Sequence, residues 1–209
     1  MNLPAAVRHL KRADPRLATL IERVGRCRFE AHAEGTHFQA VLRSIIYQQL
    51  SGKAAATIHG RVIDVLGGDP TPDAVLITPD EDLRSAGLSR QKISYTRDLA
   101  RHATEGSVPL EQLDALDDDA IIAALASIKG VGRWTAQMFL MFRLGRPNVL
   151  PAEDLGIRKG VQLAYRTRGL PPPRRVLAIG RPWAPYASIA SWYLWRSLEL
   201  PPAVPPART

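Results

Sequence analysis

The chain has 209 residues, 45% of them hydrophobic, with 28 lysines and arginines against 20 aspartates and glutamates, which gives a formal net charge of +8. This length and apolar content fit a globular protein with one large domain or two small lobes, and they exclude a chain too polar to build a core. The single cysteine, Cys27, excludes an intramolecular disulfide and a cysteine-ligated zinc or iron–sulfur site, while the basic excess favours a nucleic acid partner and, second, an anionic membrane surface.

The first third of the chain predicts two helices. No segment is apolar for the length of a signal peptide or a transmembrane span, so we expect a cytoplasmic protein without a membrane partner. The first helix is predicted from the helical spacing of five apolar residues: Phe38, Val41, Leu42, Ile45 and Ile46. A second helix is predicted to begin after Ser51, a good N-cap, and to end at the glycine pair 67–68, with a loop over 70–72.

The remainder of the chain is also predicted to be helical. A loose alternation over 27–32 is the only strand signal, and the proline-rich tail 201–209 is predicted to be disordered. The fold class is therefore all-α, and two helical lobes are favoured over two separate domains. Further helices are predicted from Ser89 to about His102, after Asp117–Asp119, from Arg133 to about Leu144, after Asp154, and from about Ala184 to Leu200.

A glycine-rich turn separates two of these helices. The segment from Leu125 to Ala136 reads LASIKGVGRWTA, in which Gly130 and Gly132 precede the start of a helix. Glycine permits close backbone approach, and the amides at a helix start meet the positive end of the helix dipole. The segment is either a site for a DNA phosphate or an ordinary tight turn. It is not a dinucleotide fingerprint, because Thr135 stands where the third glycine is needed.

About twenty residues later the chain reads LPAEDLGIRK over 150–159. The glycine-rich turn and this segment together resemble the helix-hairpin-helix DNA glycosylase superfamily, and the similarity to its alkylbase branch extends over about residues 36–198. The resemblance implies two helical lobes with a cleft between them. Residues 1–35 would form an N-terminal helical segment of the core, without a separate extra domain, and residues 36–200 the glycosylase core.

The resemblance also implies an activity. Members of this branch act in base-excision repair of double-stranded DNA: they flip an alkylated base, such as 3-methyladenine or 7-methylguanine, and hydrolyse its N-glycosidic bond. The catalytic aspartate matches Asp154, whose carboxylate would stabilise an oxocarbenium-like sugar and activate water. Asp154 is also a good helix N-cap, and Glu153 is the weaker alternative for catalysis. Superfamily members that also cleave the strand have a lysine where this chain has Trp134, which implies a monofunctional enzyme.

Aromatic and apolar side chains complete the expected site. A flipped cationic base is bound by stacking and cation–π attraction. Trp195 matches the position of a pocket aromatic in the family, and Trp134, at the start of the helix after the hairpin, lies near the expected pocket, although each could instead be a core residue. Trp183 and Trp192 are predicted to be structural. Leu50 matches the residue that fills the gap left by the flipped base, and it too could be a core residue.

The hairpin itself is expected to bind the DNA backbone. Main-chain carbonyls of Ala126, Ile128 and Val131 match a site for a monovalent cation, Na⁺ or K⁺; no other cofactor is required, no iron–sulfur cluster is expected, and the protein is expected to be a monomer. Two alternatives stay open: a non-catalytic helix-hairpin-helix DNA-binding module, and a glycosylase for a different damaged base. Phosphate contacts are predicted for Gly130, Val131, Gly132, Arg133 and Thr135.

Overall fold

The computed structural model describes residues 1–32 and 34–201, and every regular element in these ranges is helical, which confirms the all-α prediction. No helix in them is long and apolar enough to cross a membrane. All but one residue of the predicted disordered tail lie outside the described residues. The helices are α1 (Leu3–Ala13), α2 (Pro15–Val24), α3 (His37–Tyr47), α4 (Gly52–Val65), α5 (Pro72–Ile77), α6 (Asp80–Ser85), α7 (Arg90–Glu105), α8 (Asp118–Ala126), α9 (Arg133–Phe142), α10 (Leu155–Tyr165), α11 (Pro173–Gly180) and α12 (Ala187–Ser197), with short 3₁₀ helices at Leu110–Ala115 and Arg181–Trp183.

The chain divides into two compact units, in agreement with the two predicted lobes. The terminal unit contains Met1–Glu30 and the described residues from Gly145 onward, and the middle unit is Ala31–Leu144. The N-terminal helices α1 and α2 therefore belong with the C-terminal third of the sequence. The glycine-rich turn lies in the middle unit, whereas the segment with Asp154 lies in the terminal unit.

The terminal unit packs around a buried aspartate. Asp14 caps α2 by accepting the amide N–H groups of Arg16 and Leu17, and it also accepts hydrogen bonds from the indole of Trp183 and the hydroxyl of Tyr165. Trp183 is fully buried, which confirms its predicted structural role. These bonds satisfy the carboxylate of Asp14 and connect α2 to two distant parts of the sequence.

The middle unit forms around helices α3 and α7. All five apolar residues of the predicted α3 stripe are buried, and α3 begins with a capping box between Thr36 and Gln39. Ser51 and Ser89 cap α4 and α7 as predicted. Helix α7 extends to Glu105, beyond the predicted end, because Gly106 adopts the left-handed conformation that ends helices well.

Two local predictions were wrong. The loop expected over 70–72 is present at 70–71 but does not include Pro72, which begins α5: Thr71 caps the helix and Pro72 occupies its first turn, where a missing N–H costs nothing and the fixed φ is suitable. The strand-like segment 27–32 forms no strand. It connects α2 to α3, so its alternation reflects individual buried residues such as Phe29 rather than a sheet.

Two helical glycines should respond in opposite directions to alanine. A Cβ at Gly160 would lie 2.7 Å from the carbonyl oxygen of Leu194 on α12, whereas a Cβ at Gly60, in exposed α4, would have no neighbour within 4 Å. We expect Gly160→Ala to lower the free energy of unfolding by about 1–3 kcal/mol through overpacking. Gly60→Ala should raise it by about 0.5–1 kcal/mol because alanine favours the helix.

Urea unfolding followed by circular dichroism measures both changes. Equal effects of the two substitutions would contradict the close packing of α10 on α12.

Candidate active site

Asp154 is held by two hydrogen bonds at the start of α10. Its Oδ1 accepts the amide N–H of Ile157 at 2.8 Å, so the N-cap interpretation is correct. The same oxygen accepts the indole N–H of Trp195, from α12, at 2.8 Å. A half-buried carboxylate is thus fixed in orientation by its own helix and by a neighbouring one, and a catalytic carboxylate requires such a fixed orientation. Glu153, the weaker candidate, is exposed.

The indole reaches Asp154 because residue 156 is glycine. A Cβ at Gly156 would lie 2.7 Å from Cδ1 and 2.9 Å from Nε1 of Trp195. Sequence reasoning placed Trp195 in a base pocket and did not identify its hydrogen bond to Asp154. The stacking role stays a prediction, and the structure adds a role as hydrogen-bond donor. The sequence signal for this contact was Gly156, because a glycine within a helix often marks a place where another segment packs closely.

Two serines of α12 hold the segment that leads to Asp154. The hydroxyl of Ser188 donates to the carbonyl of Arg146 at 2.6 Å and accepts the N–H of Val149 at 2.9 Å. Ser191 donates to the carbonyl of Val149 at 3.5 Å. Both serines are buried. Helix α12 therefore positions the catalytic candidate twice: through the indole and through the backbone that precedes it.

The glycine-rich turn joins α8 to α9 as predicted, but its two glycines differ. Gly130 has φ of 79°, and a Cβ there would overlap the ring of Tyr95 at 2.1 Å. Gly132 has φ of −93° and an open surrounding, so the expectation that both glycines are conformationally required is wrong for Gly132. Gly132 caps α9 without a side chain, which leaves the helix start open to an anion.

Neighbouring side chains hold this hairpin in place. The amide N–H of Lys129 donates to the buried carboxylate of Asp98 at 2.8 Å, and Gln48 Nε2 donates to the carbonyl of Gly130 at 2.8 Å. Of the predicted phosphate-binding residues, Arg133 is exposed, whereas Val131 and Thr135 are buried. Sequence reasoning missed Gln48, Tyr95 and Asp98, because no local pattern links them to a turn more than thirty residues away.

A cavity of about 630 Å³ opens beside the hairpin in the middle unit. Trp134 has 48% of its surface exposed, so it is not a core residue. It occupies the first turn of α9, where the side chain is accessible to a ligand. The cavity lining includes Tyr47, Gln48, Lys92, Tyr95, Trp134 and Met138.

The loop between α3 and α4 presents Leu50 to solvent. Leu50 is 38% exposed, which excludes the core interpretation. The preceding residue, Gln49, is exposed and has φ of 58°, a left-handed conformation uncommon outside glycine. Lys92 Nζ donates to the carbonyls of Ile46 at 2.6 Å and Gln48 at 2.8 Å, and burial lowers the pKa of Lys92.

Comparison with known proteins decides the family. Residues 42–185 match the model of the HhH-GPD superfamily base excision DNA repair proteins. The chain belongs to this superfamily. The matched range contains the hairpin and the segment with Asp154, which carried the resemblance in the sequence, and it also contains the Leu50 loop.

Individual superfamily members match almost end to end. The chain is 33% identical over 211 residues to DNA-3-methyladenine glycosylase 1 of Schizosaccharomyces pombe, covering 99% of this chain and 92% of that protein. A crystal structure of a DNA-3-methyladenine glycosidase from Bacillus halodurans matches with TM-score 0.82 and 36% identity, covering 92% of this chain and 88% of that one. The Schizosaccharomyces pombe 3-methyladenine DNA glycosylase in complex with abasic DNA matches with TM-score 0.82 and 32% identity, covering 94% and 97%.

The two hairpin glycines provide a stability test. Gly130→Ala forces a side chain into left-handed backbone and against Tyr95, so we expect it to lower the free energy of unfolding by about 1–3 kcal/mol. Gly132→Ala, two residues away, should lower it by about 1 kcal/mol at most, because the only cost is that alanine is a poorer N-cap than glycine. Thermal denaturation distinguishes the two variants, and a Gly132→Ala protein as unstable as Gly130→Ala would show that the hairpin geometry is wrong.

Proposed function

We propose that this protein is a DNA-3-methyladenine glycosylase that acts in base-excision repair by hydrolysing the N-glycosidic bond of alkylated bases in double-stranded DNA. The observation that carries the proposal is the fixed carboxylate of Asp154, in a chain that aligns almost end to end with DNA-3-methyladenine glycosylases. A DNA-binding module that only grips phosphates does not need an oriented carboxylate supported by an indole N–H.

The chemistry follows from charge. A 3-methyladenine or 7-methylguanine base is cationic, so it takes the electron pair of the breaking C1′–N bond and leaves as a neutral base. The sugar gains positive charge as this bond breaks, and the negative charge of Asp154 stabilises it. Water then adds to C1′ and loses a proton, for which Asp154 is the proposed acceptor. The hydrogen bonds from Ile157 and Trp195 keep the carboxylate oriented during these steps.

The middle unit supplies the proposed DNA contacts. The hairpin from Gly130 to Thr135 binds a phosphate at the uncapped start of α9, with exposed Arg133 adding positive charge. Leu50 fills the gap left in the duplex by the flipped nucleotide. Trp134 stacks on the cationic base. Trp195, which belongs to the terminal unit, is proposed to contribute an aromatic face in addition to its bond to Asp154. The solved structure of the Schizosaccharomyces pombe relative, which is in complex with abasic DNA, supports a DNA partner. We propose that the protein acts as a monomer.

A monovalent cation at the hairpin is compatible with the described residues. The carbonyl oxygens of Ala126 and Val131 accept no hydrogen bond within the described part of the chain, and that of Ile128 accepts one, from Val131 at 3.0 Å. Na⁺ or K⁺ held by these oxygens would add positive charge where a phosphate binds. No group of three or more His, Cys, Asp or Glu residues that could hold a metal ion occurs in residues 1–32 and 34–201.

The substitution Asp154→Asn tests the proposal. Asparagine is as good an N-cap as aspartate and retains an oxygen for the bonds from Ile157 and Trp195, so stability should change by less than about 1 kcal/mol. Removing the charge should lower single-turnover release of 3-methyladenine or 7-methylguanine from methylated duplex DNA by about 100-fold or more. The neighbouring variant Glu153→Gln removes an exposed charge and should retain activity.

Base loss and strand cleavage are measured separately in the same assay. We expect abasic DNA without nicks, because Trp134 stands at the position of the superfamily's lyase lysine. Wild-type protein that binds DNA but releases no alkylated base would favour a phosphate-gripping module. Release of other damaged bases alone would favour the alternative glycosylase.

The indole N–H of Trp195 can be tested apart from its ring. Trp195→Phe keeps an aromatic surface and removes the donor to Asp154 Oδ1. Because hydrogen bonds to charged groups are strong, we expect base release to fall by about tenfold while affinity for abasic DNA is nearly unchanged. Equal activity of Trp195→Phe and wild type would show that the indole contributes only its aromatic face.

A further inference from the structure

We propose that Lys92 is a positioning residue that fixes the conformation of the loop Gln48–Ser51 and thereby enables Leu50 to enter the duplex when a base is flipped. This inference rests on the proposed function. It assigns a role in DNA distortion to a lysine on α7, a helix that contains none of the predicted DNA-contacting residues.

The ammonium of Lys92 holds the end of α3. Its Nζ donates to the carbonyls of Ile46 and Gln48, at 2.6 Å and 2.8 Å. The last carbonyls of a helix have no partner within the helix, and a cation at this end interacts well with the dipole. The loop's own backbone bonds here are long, at 3.4 Å from Gln48 N to Ile45 O and 3.3 Å from Leu50 N to Tyr47 O. Both bonds from Lys92 are shorter than these two backbone bonds.

The conformation that Lys92 holds is an unfavourable one. Gln49 has φ of 58°, and a residue other than glycine keeps this geometry only when its surroundings impose it. Leu50, which directly follows Gln49, is exposed and precedes the N-cap of α4 by one residue. Without the anchor, the segment is expected to relax, and Leu50 loses its fixed position.

One face of α7 connects this loop to the hairpin. Lys92, Tyr95 and Asp98 follow at intervals of three, which places them on one side of the helix. Tyr95 lies against Gly130, and Asp98 accepts the N–H of Lys129. Gln48, whose carbonyl Lys92 holds, also donates to the carbonyl of Gly130. Helix α7 thus fixes the Leu50 loop and the phosphate-binding hairpin relative to each other within the middle unit.

The test compares substrates that differ in how hard the lesion is to flip. A base in a mismatch is extruded at lower cost than a paired one, so a defect in the Leu50 loop matters less there. We expect Lys92→Met to lower single-turnover release of a methylated purine from its normal pair by about tenfold, and by less than about threefold when the same lesion is mismatched. A loss of catalytic power or of folded protein would lower both rates equally.

Two further variants sharpen the comparison. Leu50→Ala should show the same dependence on pairing, and the double variant Lys92→Met/Leu50→Ala should be no slower than Leu50→Ala alone, because the lysine acts through the leucine. Lys11→Met is the matched control: it removes a lysine paired with Glu22 in the terminal unit and should leave both rates unchanged. Thermal denaturation confirms that each variant is folded at the assay temperature.

Each outcome separates this inference from the proposed function. Unchanged release from the paired lesion in Lys92→Met, or equal losses on both substrates, would overturn the role of Lys92. If wild-type protein releases no base, the proposed function fails, and insertion is followed instead by fluorescence of 2-aminopurine beside an abasic-site analogue. Wild type should then raise the fluorescence as Leu50 unstacks the neighbour, and Lys92→Met should raise it less. Equal signals would contradict the inference.

Discussion

The hydrogen bond from the indole of Trp195 to Asp154 constrains much of the terminal unit. For the indole to reach the carboxylate, α12 must approach the start of α10 closely, and this is possible because Gly156 and Gly160 both lack a Cβ at the contact. One carboxylate oxygen then accepts hydrogen bonds from both a helix N-terminus and a half-buried indole. The residue proposed to stabilise positive charge is therefore also a structural residue, and its orientation is set before any substrate binds.

In the middle unit, hydrogen bonds from side chains likewise fix the candidate functional residues, and most of these bonds come from helix α7. Its two candidate DNA-contacting loops are short, contain unusual backbone at Gln49 and Gly130, and have few strong hydrogen bonds of their own. Side chains from α7 and from Gln48 supply those bonds. Leu50 and Arg133 are exposed in or directly after these loops, while side chains of α7 hold the backbone of the loops, so both contact residues stay accessible and yet have a fixed position.

The superfamily assignment and the described geometry together limit the chemistry that this chain supports. An oriented aspartate, an exposed tryptophan at the start of α9 and an uncapped helix terminus are three separate features, and a phosphate-gripping module needs only the last. The proposed absence of strand cleavage rests on Trp134, because an indole cannot form the covalent imine through which strand-cleaving members are expected to act. Lys92 lines the cavity beside the hairpin together with Trp134, but its ammonium already donates hydrogen bonds to the backbone carbonyls of Ile46 and Gln48.

The sequence by itself determined the features that depend on near neighbours in the chain. Helical apolar spacing, the caps at Ser51, Ser89 and Asp154, and the glycine-rich turn are local features. All of them were predicted and are present. Local signals gave the wrong prediction where one residue type occurs in two kinds of structure. Pro72 begins a helix rather than continuing a loop, and Gly132 is an N-cap whose backbone conformation does not require glycine. Only the tertiary structure decided that Trp195 donates to Asp154, that Lys92 anchors the Leu50 loop and that Asp98 holds the hairpin. These contacts join residues some thirty to forty-six positions apart, and hydrogen bonds between such residues depend on helix packing, which the periodicity of a single helix does not specify.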